Sequence, residues 1–246
     1  MRELLSPALK PGITVFIPIY NEEAILAASV ERVLQHLHSV NAPFELILGS
    51  NGSTDGTIAV GTKLTLEYPE VRFFHLPKRG PGLAFAEALR RARFAYFVCL
   101  DADLSVGPAF IGQAVIGLED HDAVVGSKQM GRQTRSLVRI LGSESYIALS
   151  NLLLRMPYRD YSMCAKAYRT ERIRPFINKL DRHTFYTQQL LYEISRSRGR
   201  IAEVPVVCED SRRSRFNLLH EGFYRYSKIL GLWLRSLHGR RPCGRD

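Results

Sequence analysis

A chain of 246 residues with 46% hydrophobic side chains has room for one large domain or two small ones and enough apolar surface to bury a core, so a soluble globular fold is expected. The formal net charge of +10 suits nucleic acid, a membrane surface or a phosphorylated substrate, and it is local: from Arg196 onward 12 Lys and Arg stand against 5 Asp and Glu, an excess of +7. Cys99, Cys164, Cys208 and Cys243 form no C-x-x-C pair, which argues against a zinc site or a disulfide framework; no apolar run approaches the roughly 18 to 20 residues of a membrane span, and residues 1–10 lack a signal-peptide core, so a cytosol-facing protein is expected.

In chain order, ITVFIPI (13–19) is a β-branched-rich run, and residues 22–37 follow with Ile25, Val30, Val33 and Leu37 at helical spacing. The pair recurs as FELILG (44–49) with a helix after Asp55, VRFFHL (71–76) with a helix over 82–93, and YFVCL (96–100) with a helix over 108–118; DAVVG (122–126) follows. Near-continuous apolar strands alternating with helices predict an α/β fold, a mostly parallel sheet flanked by helices on both faces. Beyond Gly126 the alternation fades: residues 132–155 read as helical or partly mobile, 160–169 as mixed, and IAEVPVV (201–207) as a short strand. Residues 217–237 predict a helix with Leu218, Leu219, Phe223, Tyr226, Ile229, Leu230, Trp233, Leu234 and Leu237 on a broad apolar face.

Ligands of such sheets bind beyond the carboxyl ends of the strands. Four polar clusters follow the first four strands, at residues 20–23, 50–56, 78–82 and 101–103, and are expected to meet at one edge. In the last, Asp101 and Asp103 place two like charges at a strand end, where a divalent cation would remove their repulsion and leave coordination positions for diphosphate oxygens. Taken alone, the pair is equally a solvated turn and helix N-cap. The second cluster, SNGSTDGT (50–57), is likewise a common strand-to-helix turn, with Ser53 or Asp55 able to cap the next helix.

The ordered set IPIYNEE (17–23), NGSTDGT (51–57), RGPGLAFAEAL (79–89) and LDADLS (100–105) resembles the GT-A-fold inverting glycosyltransferases of family 2. GSK (126–128), DYSMCAKAYR (160–169), EVPV (203–206) and RRSRFN (212–217) resemble the branch that makes polyprenyl-phosphate sugars, the dolichyl-phosphate mannose and glucose synthases. The resemblance implies a GT-A domain over 13–210, an extension over 1–12, and a basic segment with an amphipathic helix over 211–246 that packs on the domain or on a membrane surface. It implies that Pro18, Tyr20, Asn21, Glu22, Asn51, Asp55, Arg79 and Ala102 form the nucleotide-sugar site, with Asn51 facing the base. Asp101 and Asp103 would hold Mg2+ or Mn2+, with Ser105 where some relatives add a ligand. Arg212, Arg213 and Arg215 would gather donor diphosphate and acceptor phosphate, a task that planar guanidiniums suit on physical grounds also. Lys128, Asp160 and Ser214 fall on the acceptor side; Asp160 is equally a turn residue.

The chain departs from the family where paired aspartates become Ser50 and Asn51, where Pro81 and Cys164 replace lysine and glycine, and where an acidic pair in residues 185–192 becomes Thr187 and Gln189. The first change leaves UDP and GDP both open. The last bears on mechanism: a hydroxyl acceptor needs a carboxylate base, whereas a phosphate acceptor is already an anion. The expected activity is therefore inverting transfer of a hexose from a nucleoside diphosphate sugar to a polyprenyl monophosphate. The alternatives are a carbohydrate hydroxyl acceptor, with Asp160 as base, and a basic nucleic-acid-binding protein, which the sheet-edge clusters and the lack of an aromatic-basic motif oppose. Arg225, Lys228, Arg235, Arg240 and Arg241 beside the apolar face of the last helix fit an element lying on anionic lipid at the cytosolic face of a membrane; packing on the core is the other reading.

Overall fold

The computed structural model describes residues 9–128, 130–131, 137–161, 163–209 and 218–238. A seven-stranded sheet runs in the order β3 (Val71–Leu76), β2 (Phe44–Asn51), β1 (Lys10–Ile19), β4 (Phe94–Cys99), β6 (Lys166–Arg169), β5 (Ala123–Ser127), β7 (Ile201–Pro205). All neighbours pair in parallel except β6, which runs antiparallel to both β4 and β5. The mostly parallel sheet is as expected. The reversed strand is the difference: residues 160–169 read as mixed because this four-residue strand, KAYR, begins and ends on a basic residue.

Strand alternation divides the core. Ile13, Val15, Ile17 and Ile19 of β1 point to one face, where they meet Leu26, Val30, Val33 and Leu37 of α1 (Leu26–Ser39) and Phe110 and Ile111 of α4 (Ala109–Asp120). Phe16 points to the other, against Phe85 of α3 (Pro81–Arg91) and Phe97 of β4, with ring centroids 6.2 and 5.9 Å away. Burying both faces is what makes the central strands apolar throughout. This second face is completed by α5 (Leu137–Leu154), α7 (Tyr186–Arg196) and α8 (Leu218–His238), whose Ile229 and Leu232 are buried there.

Several boundaries shift for identifiable reasons. The first strand begins at Lys10, ahead of the expected residue 13, with a register irregularity around Gly12 at φ 136°. Helix α1 begins at Leu26, four residues later than expected; the chain before it is a loop laid across the second cluster, with Asn21 at φ 54° and backbone N–H groups of Asn21 and Glu22 on Ser53 Oγ (3.1 Å) and Thr57 Oγ1 (2.8 Å). Arg93 leaves the expected third helix because its N–H and its Nε both reach Glu45, each at 2.8 Å. Helix α2 (Thr57–Glu67) follows Asp55 as expected, while α6 (Thr170–Ile173) and a 3-10 turn over Arg174–Lys179 are too short to show a period; α7 is a further element, with Tyr186, Leu190, Leu191 and Ile194 at helical spacing on its buried side.

The sheet's amino-terminal edge is fastened by Glu45, whose fully buried carboxylate also accepts Thr14 Oγ1 at 2.8 Å and Arg72 Nη1 at 3.0 Å. Glu45→Ala is expected to cost about 2 to 3 kcal/mol in urea unfolding, less than a fully buried pair because both guanidiniums reach solvent. Ligand affinity of the folded fraction should not change, since the site lies at the opposite edge.

Candidate functional site

The clusters after β1 to β4 do meet at the carboxyl edge, and one amide ties three of them. Asn51, 2% exposed, donates from Nδ2 to Ile19 O at 2.9 Å and accepts Gly80 N at Oδ1 at 3.0 Å. The end of β1 and the turn before α3 are thereby fixed to the end of β2. Its amide is committed to backbone, although the resemblance had placed it facing a base. Beside it, Gly52 at φ 71° donates to Leu76 O at 2.8 Å; a Cβ there would stand 2.8 Å from Arg79 N, so only glycine admits this approach.

The first loop is locked onto the second. Thr54 N donates to Asn21 Oδ1 at 2.7 Å, and Thr57 N to Asp55 Oδ1 at 3.0 Å. The Arg79 guanidinium lies 4.0 Å from the Tyr20 ring centroid, a cation–π contact that joins the first and third loops. Pro18 is tolerated in a central strand because of its position. Phe16 O accepts Leu100 N at 3.1 Å on the β4 side, and Pro18, two residues on, faces that side beyond the last β1–β4 pair, where no ladder donor is needed.

After β4 the chain turns tightly. Leu104 takes φ 51° and donates to Asp101 O at 3.0 Å, and Ser105 N donates to Asp103 Oδ1 at 3.0 Å. Ala102 is buried, while Asp101, Asp103 and Ser105 are half-buried. Burial first, and the Asp103 charge second, push the Asp101 carboxyl up from 3.8 to about 6; Lys166, the Cys164 N–H and Lys128 act in the other direction. Among the described residues no third His, Cys, Asp or Glu completes a metal cage. Two carboxylates that repel each other, open to further oxygen ligands, do fit a hard divalent cation that is shared with a diphosphate.

Behind this turn lies a buried charge cluster that sequence reasoning caught only in part. Lys128 is 4% and Asp160 1% exposed, and Lys128 Nζ lies 3.1 Å from Asp160 Oδ2. Asp160 also accepts Met163 N at 3.1 Å. Burial alone would raise its carboxyl, but Lys128 and Lys166 outweigh that and hold it below 3.8. Lys166, 1% exposed and overlooked in the sequence, donates to Met163 O and is carried by β6 opposite Cys99. Its signal was a lysine flanked by alanines inside an inward-facing run. Thr187 and Gln189 are buried and hydrogen-bonded to backbone: Thr187 Oγ1 to Tyr161 O at 2.9 Å, Gln189 Nε2 to Lys179 O at 2.8 Å.

Arg212, Arg213, Ser214 and Arg215 lie outside the described residues, as do Arg240 and Arg241. The strand that leads toward the first four passes the acidic turn: Cys208 bridges to Val106, and Glu209 N donates to Ser105 O at 2.9 Å. In α8 both readings of the helix have support. Ile229 and Leu232 pack into the core, while Phe223 (81% exposed), Leu230, Leu234 and Leu237 stay open to solvent. Arg225 is turned inward onto Glu221 at 2.7 Å, and Lys228 onto Asp181 at 2.9 Å. Among the described residues no helix is long and apolar enough to cross a membrane.

Comparison with known proteins agrees with this geometry. Residues 14–174 match glycosyl transferase family 2. Glycosyltransferase AglD of Haloferax volcanii is 28% identical over 229 residues, 90% of this chain and 37% of AglD. Undecaprenyl-phosphate 4-deoxy-4-formamido-L-arabinose transferase of Pectobacterium carotovorum subsp. carotovorum is 29% identical over 176 residues, 71% of this chain and 54% of that protein. The chain thus spans between about a third and a half of these relatives' lengths. Glucosyl-3-phosphoglycerate synthase from Mycobacterium tuberculosis, solved with Mn2+, UDP and phosphoglyceric acid, superposes with a TM-score of 0.69 at 21% identity, over 95% of this chain and 81% of that one. The same enzyme with Mn2+ and UDP-glucose also gives 0.69 at 21% identity, over 91% and 79%. At that identity the likeness establishes the GT-A fold.

Two outcomes follow from the geometry. Asn51→Leu should lose about 2 to 3 kcal/mol in denaturant unfolding, because Ile19 O and Gly80 N are left buried without partners, and any thermal shift that the parent shows with Mn2+ and a nucleoside diphosphate should be lost. Asn51→Asp, which still accepts from Gly80 N, should fall between. Because the folded-state pKa of Asp101 is raised, the cost of ionising it is present above about 6 and relieved as the pH falls toward 3.8. Metal-free Asp101→Asn should therefore unfold at a higher temperature than the parent at neutral pH, with the gap closing on acidification, and Mn2+ should stabilise only the parent.

Proposed function

Because the chain belongs to glycosyl transferase family 2, we propose that this glycosyltransferase moves a hexose from a nucleoside diphosphate sugar, UDP- or GDP-linked, to the phosphate of a polyprenyl monophosphate with inversion at the anomeric carbon. The observation that carries the acceptor is the state of Asp160. The carboxylate that a hydroxyl acceptor would need as base is 1% exposed, paired with Lys128 and held ionised, a poor position from which to take up a proton. Thr187 and Gln189, in place of acids, are engaged with backbone. A phosphate oxygen attacks without giving up a proton: its bond to the anomeric carbon forms as the bond from that carbon to the nucleoside diphosphate breaks.

The loops locked by Asn51 would hold the nucleotide through Pro18, Tyr20, Asn21, Glu22, Asp55 and Arg79, with Ala102 lining the floor of the acidic turn. Asp101 and Asp103, with Ser105 as an added oxygen, would hold Mg2+ or Mn2+, which when bound supplies positive charge to the leaving diphosphate. Arg212, Arg213 and Arg215, with Ser214, would close over the two phosphates, and Lys128 adds positive potential from below. The undecaprenyl phosphate in the name of the Pectobacterium relative supports the lipid acceptor, and Mn2+ with UDP in the fold neighbours supports the donor and cofactor. The open face of α8 would rest on the cytosolic surface of the membrane that contains the acceptor.

Purified protein with Mn2+ or Mg2+ and labelled UDP-glucose, UDP-N-acetylglucosamine or GDP-mannose should move label onto polyprenyl phosphate, extractable into organic solvent. Asp103→Asn should lower the rate about 100-fold or more. Label that stays in water when a phosphorylated acid, such as the phosphoglyceric acid bound by the fold neighbours, is the acceptor would overturn the lipid assignment and keep the transferase. No transfer from any donor would overturn the whole proposal.

A further inference from the structure

A second charged surface shares no residue with the acidic turn. Between the segment after the 3-10 turn and α8 lies a cleft of about 330 Å³, lined by Lys179, Asp181, Arg182, His183, Lys228 and Arg235. Its floor is built by Gln189, which donates to Lys179 O and accepts Asp181 N, both at 2.8 Å. That one amide bends the backbone so that Lys179 and Arg182 stand exposed at the rim. The single carboxylate is already neutralised: Asp181 accepts Tyr224 OH at 2.5 Å, His183 N at 2.9 Å and Lys228 Nζ at 2.9 Å. Among the described residues no carboxylate pairs with Lys179, Arg182 or Arg235. Three cations therefore face solvent around a preformed concavity, with a local potential that draws an anion.

The occupant follows from what lies beside the cleft. On α8, Phe223, Leu230, Leu234 and Leu237, 81, 49, 45 and 43% exposed, form one apolar stripe, and the cleft residues Lys228 and Arg235 flank it roughly a third of a turn around the helix. A free phosphate or a nucleic acid would use the cations and leave this ridge wet. A molecule with an anionic head and an apolar body uses both. We propose that the cleft seats the phosphate headgroup of an anionic bilayer phospholipid while the α8 ridge enters the lipid surface, a site separate from the one that takes the acceptor phosphate. This deepens the membrane contact proposed above and rests on it, but needs no transfer chemistry.

Co-sedimentation with phosphatidylcholine vesicles, pure or containing phosphatidylglycerol, tests it. The comparison is between Lys179→Gln/Arg182→Gln and Lys10→Gln/Lys63→Gln, an equal charge change at the start of β1 and on α2. The parent and the second variant should bind anionic vesicles alike. The cleft variant should bind about thirtyfold more weakly, near fivefold per cation, and Leu234→Ser should also weaken binding. Equal losses in both double variants, or no loss in the cleft variant, would overturn the site. So would a parent that ignores anionic vesicles yet binds inorganic phosphate or an oligonucleotide through Lys179 and Arg182. Thermal shift with Mn2+ and UDP or GDP should be the same in parent and variants, which certifies folding; absence of a shift from the parent with both nucleotides would count against the transferase and not against the cleft.

Discussion

The architecture of the candidate site depends on two hydrogen bonds from one buried amide. Parallel strands end side by side but say nothing about the paths of the loops beyond them. Asn51 supplies that information by giving its N–H to the carbonyl that ends β1 and its carbonyl oxygen to the N–H that precedes α3. A carboxylate at this position could make only the second contact, and an apolar side chain neither. The close approach of Gly52 to Arg79, and the stacking of Arg79 on Tyr20, are possible because those loops are already in place.

Electrostatics forms the second layer. The acidic turn and the lysine cluster behind it are oppositely charged and both poorly hydrated, so each moderates the other: Lys166 and Lys128 reduce the cost of ionising Asp101, and Asp160 keeps the two ammonium groups from repelling freely. Thr187 and Gln189 are uncharged, so in this buried cluster Lys128 and Lys166 face the single carboxylate of Asp160 and leave it with more positive than negative character.

Much of this was legible in the sequence, and the rest was hidden for physical reasons. The alternation of Ile13, Val15, Ile17 and Ile19 against Phe16 is strong because both faces of β1 are buried. The convergence of the four polar clusters followed from strand direction alone. Strand β6 escaped because a lysine among alanines does not look buried; its burial is supported by the bond to Met163 O and by the charge of Asp160, six residues away in the chain. Helix α7 escaped because Thr187, Gln188 and Gln189 interrupt its apolar spacing yet are buried, Thr187 and Gln189 on backbone carbonyls and Gln188 on the Tyr146 hydroxyl. The structural role of Asn51 was hidden for a related reason: its residue type suits a ligand, and only the neighbouring loops show that one N–H and one lone pair of its amide also join Ile19 and Gly80.

The reversed direction of β6 has a consequence for how the rim is built. Strand β5 ends at the active edge, and β6 begins there, so the stretch from Lys128 to Lys166 leaves and re-enters the sheet at the same rim. Both ends of that excursion are pinned by paired strands, and the ends of β1, β2 and β3, which carry the first three loops, lie on the far side of β4. The excursion also carries α5, whose Tyr146, Ile147 and Leu154 are buried in the second core face, and it is closed by the pair between Lys128 at its start and Asp160 near its end. The rim on this side is thus built by a segment whose two ends share one buried charge pair, so a change at either end is felt at the other.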